Sequence, residues 1–434
     1  MSAIEYIGRK VGDLMSRRRR FTTTRLGQKH GGQMPEQLTA SQQKWFDISA
    51  KHAEVFAGRA AKYDEEGSFP HDNYQEMKDS GYTNIPIPEA LGGGGGDLLD
   101  ICIAQERLAR GDRATALAMN MHLALPWMIT ELYKTGNEHV VELLEQIASK
   151  KLISCGCFTD PQVDSLKGIT GLGFTTVEAV KEDGMFRING RHAFGTNSPG
   201  ADLFASTAVY NDPDEGEVGL IFFIPIDTPG LECQNDWNVM GMRSSGSHSW
   251  VINNLLVPED DVFRHPTWQW GQFERLLFAW HGGTFASIYI GIAQAARDFA
   301  IDYTKNRTRK PFNRPASHYP GNQFLAAEMD IGLKAAWAFQ RDIAQRLTDP
   351  QARDDQTLLD AIAAQHFCMR TAVEVVDKAV EMVGGAALSK HLPLERYYRD
   401  VRAGPMHPIG GFDALEVIGK HAFGIPRDTE PRYE

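Results

Sequence analysis

The chain has 434 residues, enough for two or three domains that each bury a core of their own. Hydrophobic residues make up 42% and charged residues 23%, which excludes a disordered, collagen-like or disulfide-stapled protein. The net charge of −11 disfavours nucleic-acid binding, because such a surface repels phosphates.

Residues 1–34 are predicted to be a tail that carries a short basic run, Arg17 to Arg20. A solvated tail is the simpler interpretation, and a membrane-surface or partner contact is the alternative. The tail lacks the apolar stretch of a secretion signal, and no run reaches the ~18 residues of a transmembrane segment. Five cysteines without metal or redox spacing fit a reducing compartment, so we expect a cytoplasmic protein.

Residues 35–152 are predicted to form an N-terminal helical domain. Trp45, Ile48 and Phe56 recur at helical spacing, and Asp97 can cap a later helix. The glycines at 92–96 follow a proline-rich stretch and not a strand, so they do not predict a phosphate-binding loop.

Residues 153–266 change to alternating, β-branched patterns separated by turn residues. The predicted strands are residues 174–180, 185–188, 203–210, 219–225 and 250–257. Their short spacing predicts a small antiparallel sandwich or barrel. Residues 267–434 are helical again, with an apolar stripe from Ala361 to Val383 that Gly384 ends.

Four segments in this order resemble the acyl-CoA dehydrogenase family. They are residues 84–93, residues 158–198, residues 240–259 with Met-Gly-Met-Arg-Ser-Ser-Gly-Ser, and residues 384–402 with Arg-Asp-Val-Arg. The resemblance implies a mainly α protein with a β domain: an N-terminal helical domain, a central antiparallel β domain and a C-terminal four-helix domain. It also implies a homotetramer with a flavin, FMN or FAD, between the last two domains.

The resemblance also implies roles for residues at the flavin. Phe194 lies where the family stacks an aromatic ring on the isoalloxazine, and a flat apolar ring suits that position. Thr196 lies where a hydroxyl meets flavin N5, and Phe158 and Thr159 lie where the pyrimidine edge is bound. The same resemblance gives Arg309 and Gln323 as phosphate or adenine contacts from a neighbouring subunit, with surface positions as the alternative.

The resemblance breaks at the catalytic base. A dehydrogenase of this family uses a Glu to remove the α-proton of a thioester. The two positions that hold this Glu in the family are here Pro408, directly after His407, and His281. Glu274 lies seven residues before His281, about 10.5 Å along a helix.

This pattern is similar to the monooxygenase branch of the fold, which includes dibenzothiophene monooxygenase, N-hydroxylases and amino-sugar nitrososynthases. That branch implies reduced flavin from a separate reductase, reaction with O₂ to a C4a-hydroperoxide, and transfer of one oxygen to a small organic substrate. It requires a dry pocket and a hydrogen-bonding group beside the peroxide. We expect this group among His407, His122 and His281, and we expect Ser165 to contact the ligand.

Two alternatives stay open. One is an FAD-dependent acyl-CoA dehydrogenase with a displaced base. The other is a non-catalytic relative that kept the fold, against which Phe194 and Thr196 argue.

Overall fold

The computed structural model describes residues 38–163, 175–266, 272–308, 310–311, 313–426 and 429. The basic run of the predicted tail, Ser165 and Arg309 lie outside the described residues. Glu274 lies in a helix of the described part of the chain, but the structure describes only its backbone and not its side chain.

The N-terminal helical domain contains six α-helices within the described residues. They span Ala40–Ala57 (α1), Ala60–Glu66 (α2), His71–Ser80 (α3), Leu98–Ala109 (α4), Arg113–Lys134 (α5) and Val141–Lys150 (α6). The predicted cap of α4 is confirmed, since Asp97 Oδ1 accepts a hydrogen bond of 2.8 Å from the Asp100 amide. The Gly94 and Gly96 amides donate to the carbonyl oxygens of Asn84 and Ile85, so this glycine run is a packed turn.

The central domain is mostly antiparallel, as predicted, but its described strands form one eight-stranded sheet, whereas the sequence pattern predicted a small sandwich or barrel. The strands span Ser154–Cys157 (β1), Glu178–Glu182 (β2), Met185–Gly195 (β3), Leu203–Asp212 (β4), Gly216–Pro225 (β5), Leu231–Cys233 (β6), His248–Pro258 (β7) and Val262–Pro266 (β8). Seven follow the order β6-β7-β3-β2-β4-β5-β8. A second difference from the prediction is that β1 and β2 both pair with β4 in parallel, because the chain reaches β4 by crossovers and not by a hairpin.

The C-terminal domain is again helical. Its helices span Gln272–Lys305 (α7), Pro320–Thr348 (α8), Asp355–Val383 (α9), Leu394–Val401 (α10) and Gly411–Ala422 (α11). Gly384 ends α9 as predicted. Buried side chains of this domain and of the N-terminal helices form one continuous apolar core, and the sheet has a separate core.

Helix α7 contains a long apolar stretch. Its stretch Arg275–Lys305 is long and apolar enough to cross a membrane, yet 89% of the most apolar window is buried inside the protein. That burial is typical of a core helix, which is enclosed by other helices on all sides.

Candidate active site

An exposed aromatic ring stands at the end of β3. Phe194 has 55% of its surface exposed although it follows the fully buried His192 by two residues. Strict alternation would bury both side chains on one face. The pairing of β3 with β7 shifts register between His192 and Gly195, and Phe194 adopts a left-handed backbone with φ of 59°. This bulge turns the ring outwards.

Trp237 extends this apolar surface. Its ring meets Phe194 edge to face, with centroids 6.1 Å apart. The Trp237 indole donates a hydrogen bond to the Met242 carbonyl at 3.2 Å, which fixes its orientation. We call Phe158, Phe194 and Trp237 the aromatic shelf. Sequence reasoning missed Trp237, because nothing in its local pattern marks a neighbour of Phe194.

Thr196 lies beside the shelf and is buried. Its amide donates to the Phe194 carbonyl at 2.8 Å, and its hydroxyl shares a hydrogen bond of 2.9 Å with Ser247. Ser247 in turn shares one of 2.7 Å with Ser245. Three linked hydroxyls can both donate and accept, so they can adjust to a ligand atom that changes between donor and acceptor.

Phe158 and Thr159 are held at the same place by the backbone. The Ala193 amide donates to the Thr159 carbonyl at 2.8 Å, which fastens the segment after β1 to the end of β3. Phe158 has 37% of its surface exposed. The fold therefore places the backbone of Thr159 beside the residue that precedes Phe194.

The buried His192, two residues before Phe194, forms hydrogen bonds to neighbouring segments of the chain. His192 Nδ1 lies 2.7 Å from the Ser206 hydroxyl, and its Nε2 lies 2.8 Å from that of Thr175. Burial lowers the pKa of His192 to about 4. Asp160 joins the same network, since it accepts a hydrogen bond of 3.2 Å from the Thr175 hydroxyl. It also accepts hydrogen bonds from the amide and hydroxyl of Thr176. Burial works against ionisation of Asp160, but these hydrogen bonds lower its pKa.

Two of the predicted histidines meet around one phenyl ring. His281 stacks on Phe285 with centroids 4.9 Å apart and planes at 8°. The His407 ring meets the same Phe285 at 4.8 Å and 60°. Positions 281, 285 and 289 share one face of α7 because they are four residues apart. We call His281 and His407 the histidine pair.

Hydrogen bonds determine the proton positions on the pair. His281 Nδ1 lies 2.8 Å from the Leu277 carbonyl, so it donates its proton there and leaves Nε2 unprotonated. His407 Nε2 lies 2.5 Å from the Tyr289 hydroxyl. Burial lowers the pKa of His281 to about 4; burial and repulsion from His281 lower that of His407 to about 3. Both rings are therefore neutral near pH 7, and neither contacts a carboxylate within the described residues.

The segment from Met240 to Ser247 links the shelf to the histidine pair. At one end Ser247 bonds to Thr196; at the other the Met242 amide donates to Asp400 Oδ1 at 2.7 Å. Gly241 permits this approach, because a Cβ there would lie 2.4 Å from the Arg399 carbonyl oxygen. Asp400 belongs to α10, which leads directly into the segment that carries His407. This segment thus connects the shelf to the helix that precedes His407.

Both ring nitrogens of His122, the third predicted histidine, form hydrogen bonds within the protein. The Ser154 amide donates to its Nδ1 at 3.1 Å, and its Nε2 donates to the Thr83 carbonyl at 3.0 Å. Both ring nitrogens are thus used to join α5 to β1 and to the turn before α4. Burial lowers the pKa of His122 to about 4. This geometry favours a structural role over the predicted catalytic one.

Gln323 lies on the exposed first turn of α8, and its amide donates to the Ser317 carbonyl at 3.2 Å. This local bond and the exposed position fit the surface alternative. Ser165 and Arg309, the other predicted ligand contacts, lie outside the described residues.

Family models match two parts of the chain. Residues 47–151 match the acyl-CoA dehydrogenase N-terminal domain, and residues 283–410 match the acyl-CoA dehydrogenase C-terminal domain. A relative from Bacillus subtilis, named "Putative acyl-CoA dehydrogenase YdbM", is 34% identical over 88% of this chain and 97% of its own length.

A nitrososynthase and a solved structure that contains FMN are also similar to this chain. The L-evernosamine nitrososynthase of a Micromonospora species is 29% identical over 91% of this chain and 93% of its own length. The crystal structure of KijD3 with FMN and a dTDP-amino-keto sugar covers 91% of this chain and 97% of its own. It has a TM-score of 0.80 and 25% identity.

Proposed function

The chain belongs to the acyl-CoA dehydrogenase family, and within that family we propose that it is a flavin-dependent monooxygenase. The observation that carries this proposal is the histidine pair. His281 occupies one of the two positions where the resemblance expects a carboxylate base, and His407 directly precedes the other, Pro408. No described carboxylate contacts either imidazole. Removal of an α-proton requires a positioned base, and the family uses a carboxylate for it, whereas oxygen transfer requires no such base.

The shelf fits a flavin. An exposed phenyl ring in a bulge, beside a buried chain of hydroxyls, is suited to a flat ring system with polar edge atoms. Phe194 and Trp237 would cover the ring system, Thr196 would meet its N5 edge, and Phe158 and Thr159 would line its pyrimidine edge. When bound and reduced, the flavin supplies the chemistry that activates O₂ and delivers one oxygen atom. The FMN in the KijD3 structure supports FMN as a candidate cofactor, beside the FAD that the family resemblance implies.

The histidine pair has complementary roles in this proposal. His407 offers an N–H donor from Nδ1 towards the reacting oxygen, and His281 offers an unprotonated Nε2 to a substrate N–H or O–H group. Phe285 between them contributes an apolar wall that excludes water. A site of this kind suits a small substrate that is oxygenated at nitrogen, sulfur or an aromatic carbon.

The proposed enzyme requires two partners besides its organic substrate, a flavin reductase and O₂. Reduced flavin comes from a separate reductase, and O₂ is the co-substrate. Large apolar side chains are exposed on α8 and α11, including Phe324 at 66%, Ile331 at 68% and Phe412 at 86%, and they support a homotetramer. Arg309 and Gln323 stay candidates for the phosphate end of the flavin across subunits. Five free cysteines fit a cytoplasmic location.

A second candidate is an acyl-CoA dehydrogenase with a displaced base. The 34% identity to the Bacillus relative favours it. His281 Nε2 is unprotonated and is the group that would act as the base.

Anaerobic titration separates the two functions. The protein is loaded with FAD or FMN, and straight-chain, branched and aromatic acyl-CoA thioesters are added without oxygen. We expect no bleaching of the flavin by any thioester. When O₂ is then added to the protein with reduced flavin, we expect hydrogen peroxide to appear more slowly than it does from free reduced flavin. Bleaching by a thioester would contradict the monooxygenase proposal, and His281→Gln would then test the base.

A further inference from the structure

Tyr289 contributes to the histidine pair although no sequence motif marks it. It is fully buried on α7, one turn beyond Phe285 and two beyond His281. Its hydroxyl reaches His407 Nε2 at 2.5 Å, and it has no other hydrogen-bond partner within the described residues. We infer that Tyr289 is a positioning residue that sets the tautomer of His407 and thereby directs the Nδ1 proton into the site.

The direction of this hydrogen bond follows from the two partners. Burial, with a contribution from the Asp400 carboxylate, raises the pKa of Tyr289 well above its ordinary value, so the phenol keeps its proton. A buried hydroxyl that did not donate to His407 would lose its only acceptor, which is unfavourable. Tyr289 therefore donates, Nε2 accepts, and the neutral imidazole carries its proton on Nδ1.

The backbone is built for close contact between these two residues. A Cβ at Gly404 would lie 2.9 Å from Cδ1 of Tyr289, so a larger residue would push the segment before His407 away from the phenol ring. The glycine lets Gly404–His407 lie directly on the tyrosine.

This inference rests on the proposed function, in which His407 is a proton donor, but its first test does not. Two-bond ¹H–¹⁵N correlation spectra of ¹⁵N-histidine-labelled full-length protein report which ring nitrogen carries the proton, with His407→Gln for assignment. We expect the Nδ1–H tautomer at pH 7.5. The Nε2–H tautomer would overturn the inference, and this measurement needs no variant at Tyr289.

The variant Tyr289→Phe removes only the hydroxyl. We expect a mixture of His407 tautomers and about threefold to tenfold faster hydrogen peroxide release from bound reduced FMN and O₂, the effect of one hydrogen bond. Tyr303→Phe is the matched control, because Tyr303 lies on the same helix and its hydroxyl bonds to no described residue. Circular dichroism and the FMN dissociation constant check folding.

The two proposals fail in different ways. An unchanged tautomer in Tyr289→Phe would overturn the role of Tyr289. A changed tautomer with unchanged peroxide release would support that role and contradict the use of His407 in the proposed oxygen transfer.

Discussion

His281 and Phe285 stack face to face one helical turn apart, with ring centroids 4.9 Å apart and planes at 8°. The His407 ring contacts the same phenyl ring edge to face. A positive charge on either partly buried imidazole would lie beside the apolar Phe285 ring with no described carboxylate to balance it, which favours the neutral form of both. The site can therefore donate and accept hydrogen bonds without carrying a charge.

Removal of the proposed donor is the first prediction. His407→Ala should increase hydrogen peroxide release from bound reduced FMN and O₂ by about tenfold, because the loss of about 1.4 kcal/mol of hydrogen bonding changes a rate by that factor. Peroxide is measured with a coupled dye assay. His391→Ala, an exposed histidine of the same domain, is the control. Equal rates in wild type and His407→Ala would remove His407 from the mechanism.

The second prediction concerns Thr196. Thr196→Val keeps the side-chain shape but removes the hydroxyl that links Ser247 to the proposed flavin edge. We expect the flavin dissociation constant to rise several-fold to about tenfold, and the absorption spectrum of the bound flavin to shift. Fluorescence titration with FMN and FAD gives the constant. Thr228→Val, in a turn elsewhere in the sheet domain, should bind flavin like wild type; unchanged affinity and spectrum in Thr196→Val would place the flavin elsewhere.

The third prediction concerns Phe194. An exposed ring contributes little to folding, so Phe194→Ala should leave the melting temperature nearly unchanged while weakening flavin binding by about tenfold, the value of one aromatic contact. Phe194→Trp should retain flavin, because a larger ring can cover the same surface. Phe263→Ala, another partly exposed ring of the sheet domain, should leave the dissociation constant at its wild-type value. Strong flavin binding by Phe194→Ala would show that the ring serves another purpose.

The fourth prediction is a loss of stability in acid. The pKa of His122 falls from 6.5 in the unfolded chain to about 4 in the folded protein. The unfolded chain therefore binds more protons between pH 6.5 and about 4, and the free energy of unfolding decreases as the pH falls through this window. Each such histidine contributes a decrease of about 1.4 kcal/mol per pH unit. His192 and His281 act in the same direction.

Urea unfolding at pH 7.5 and pH 5.0 measures this dependence. His122→Asn should be less stable than wild type at pH 7.5, since it loses a bond to Ser154 or Thr83, but it should lose about 2 kcal/mol less on acidification. The exposed His139→Asn serves as the reference variant. If His122→Asn kept the full acid sensitivity of wild type, the histidine would not be buried in its neutral form.

The family, the order of helical and sheet segments, and the elements with strong local signals were predictable from the sequence. The α4 cap at Asp97 and the end of α9 at Gly384 depend on neighbouring residues only, so local chemistry suffices. The change from helical to alternating patterns near residue 153 follows from side-chain periodicity in the same way. Four family-like segments in order along the chain predicted the flavoenzyme fold.

Other features depended on contacts between residues far apart in the chain. Strand alternation would bury Phe194, and only the register shift against β7 exposes it. A histidine such as His122 looks like a proton donor until Ser154 and Thr83 are seen to occupy both nitrogens. Tyr289 meets His407 across more than a hundred positions, and pairing at that separation leaves no local pattern. Proton positions and side-chain direction are decided by such packing, because each depends on which partner the folded backbone brings within hydrogen-bonding distance.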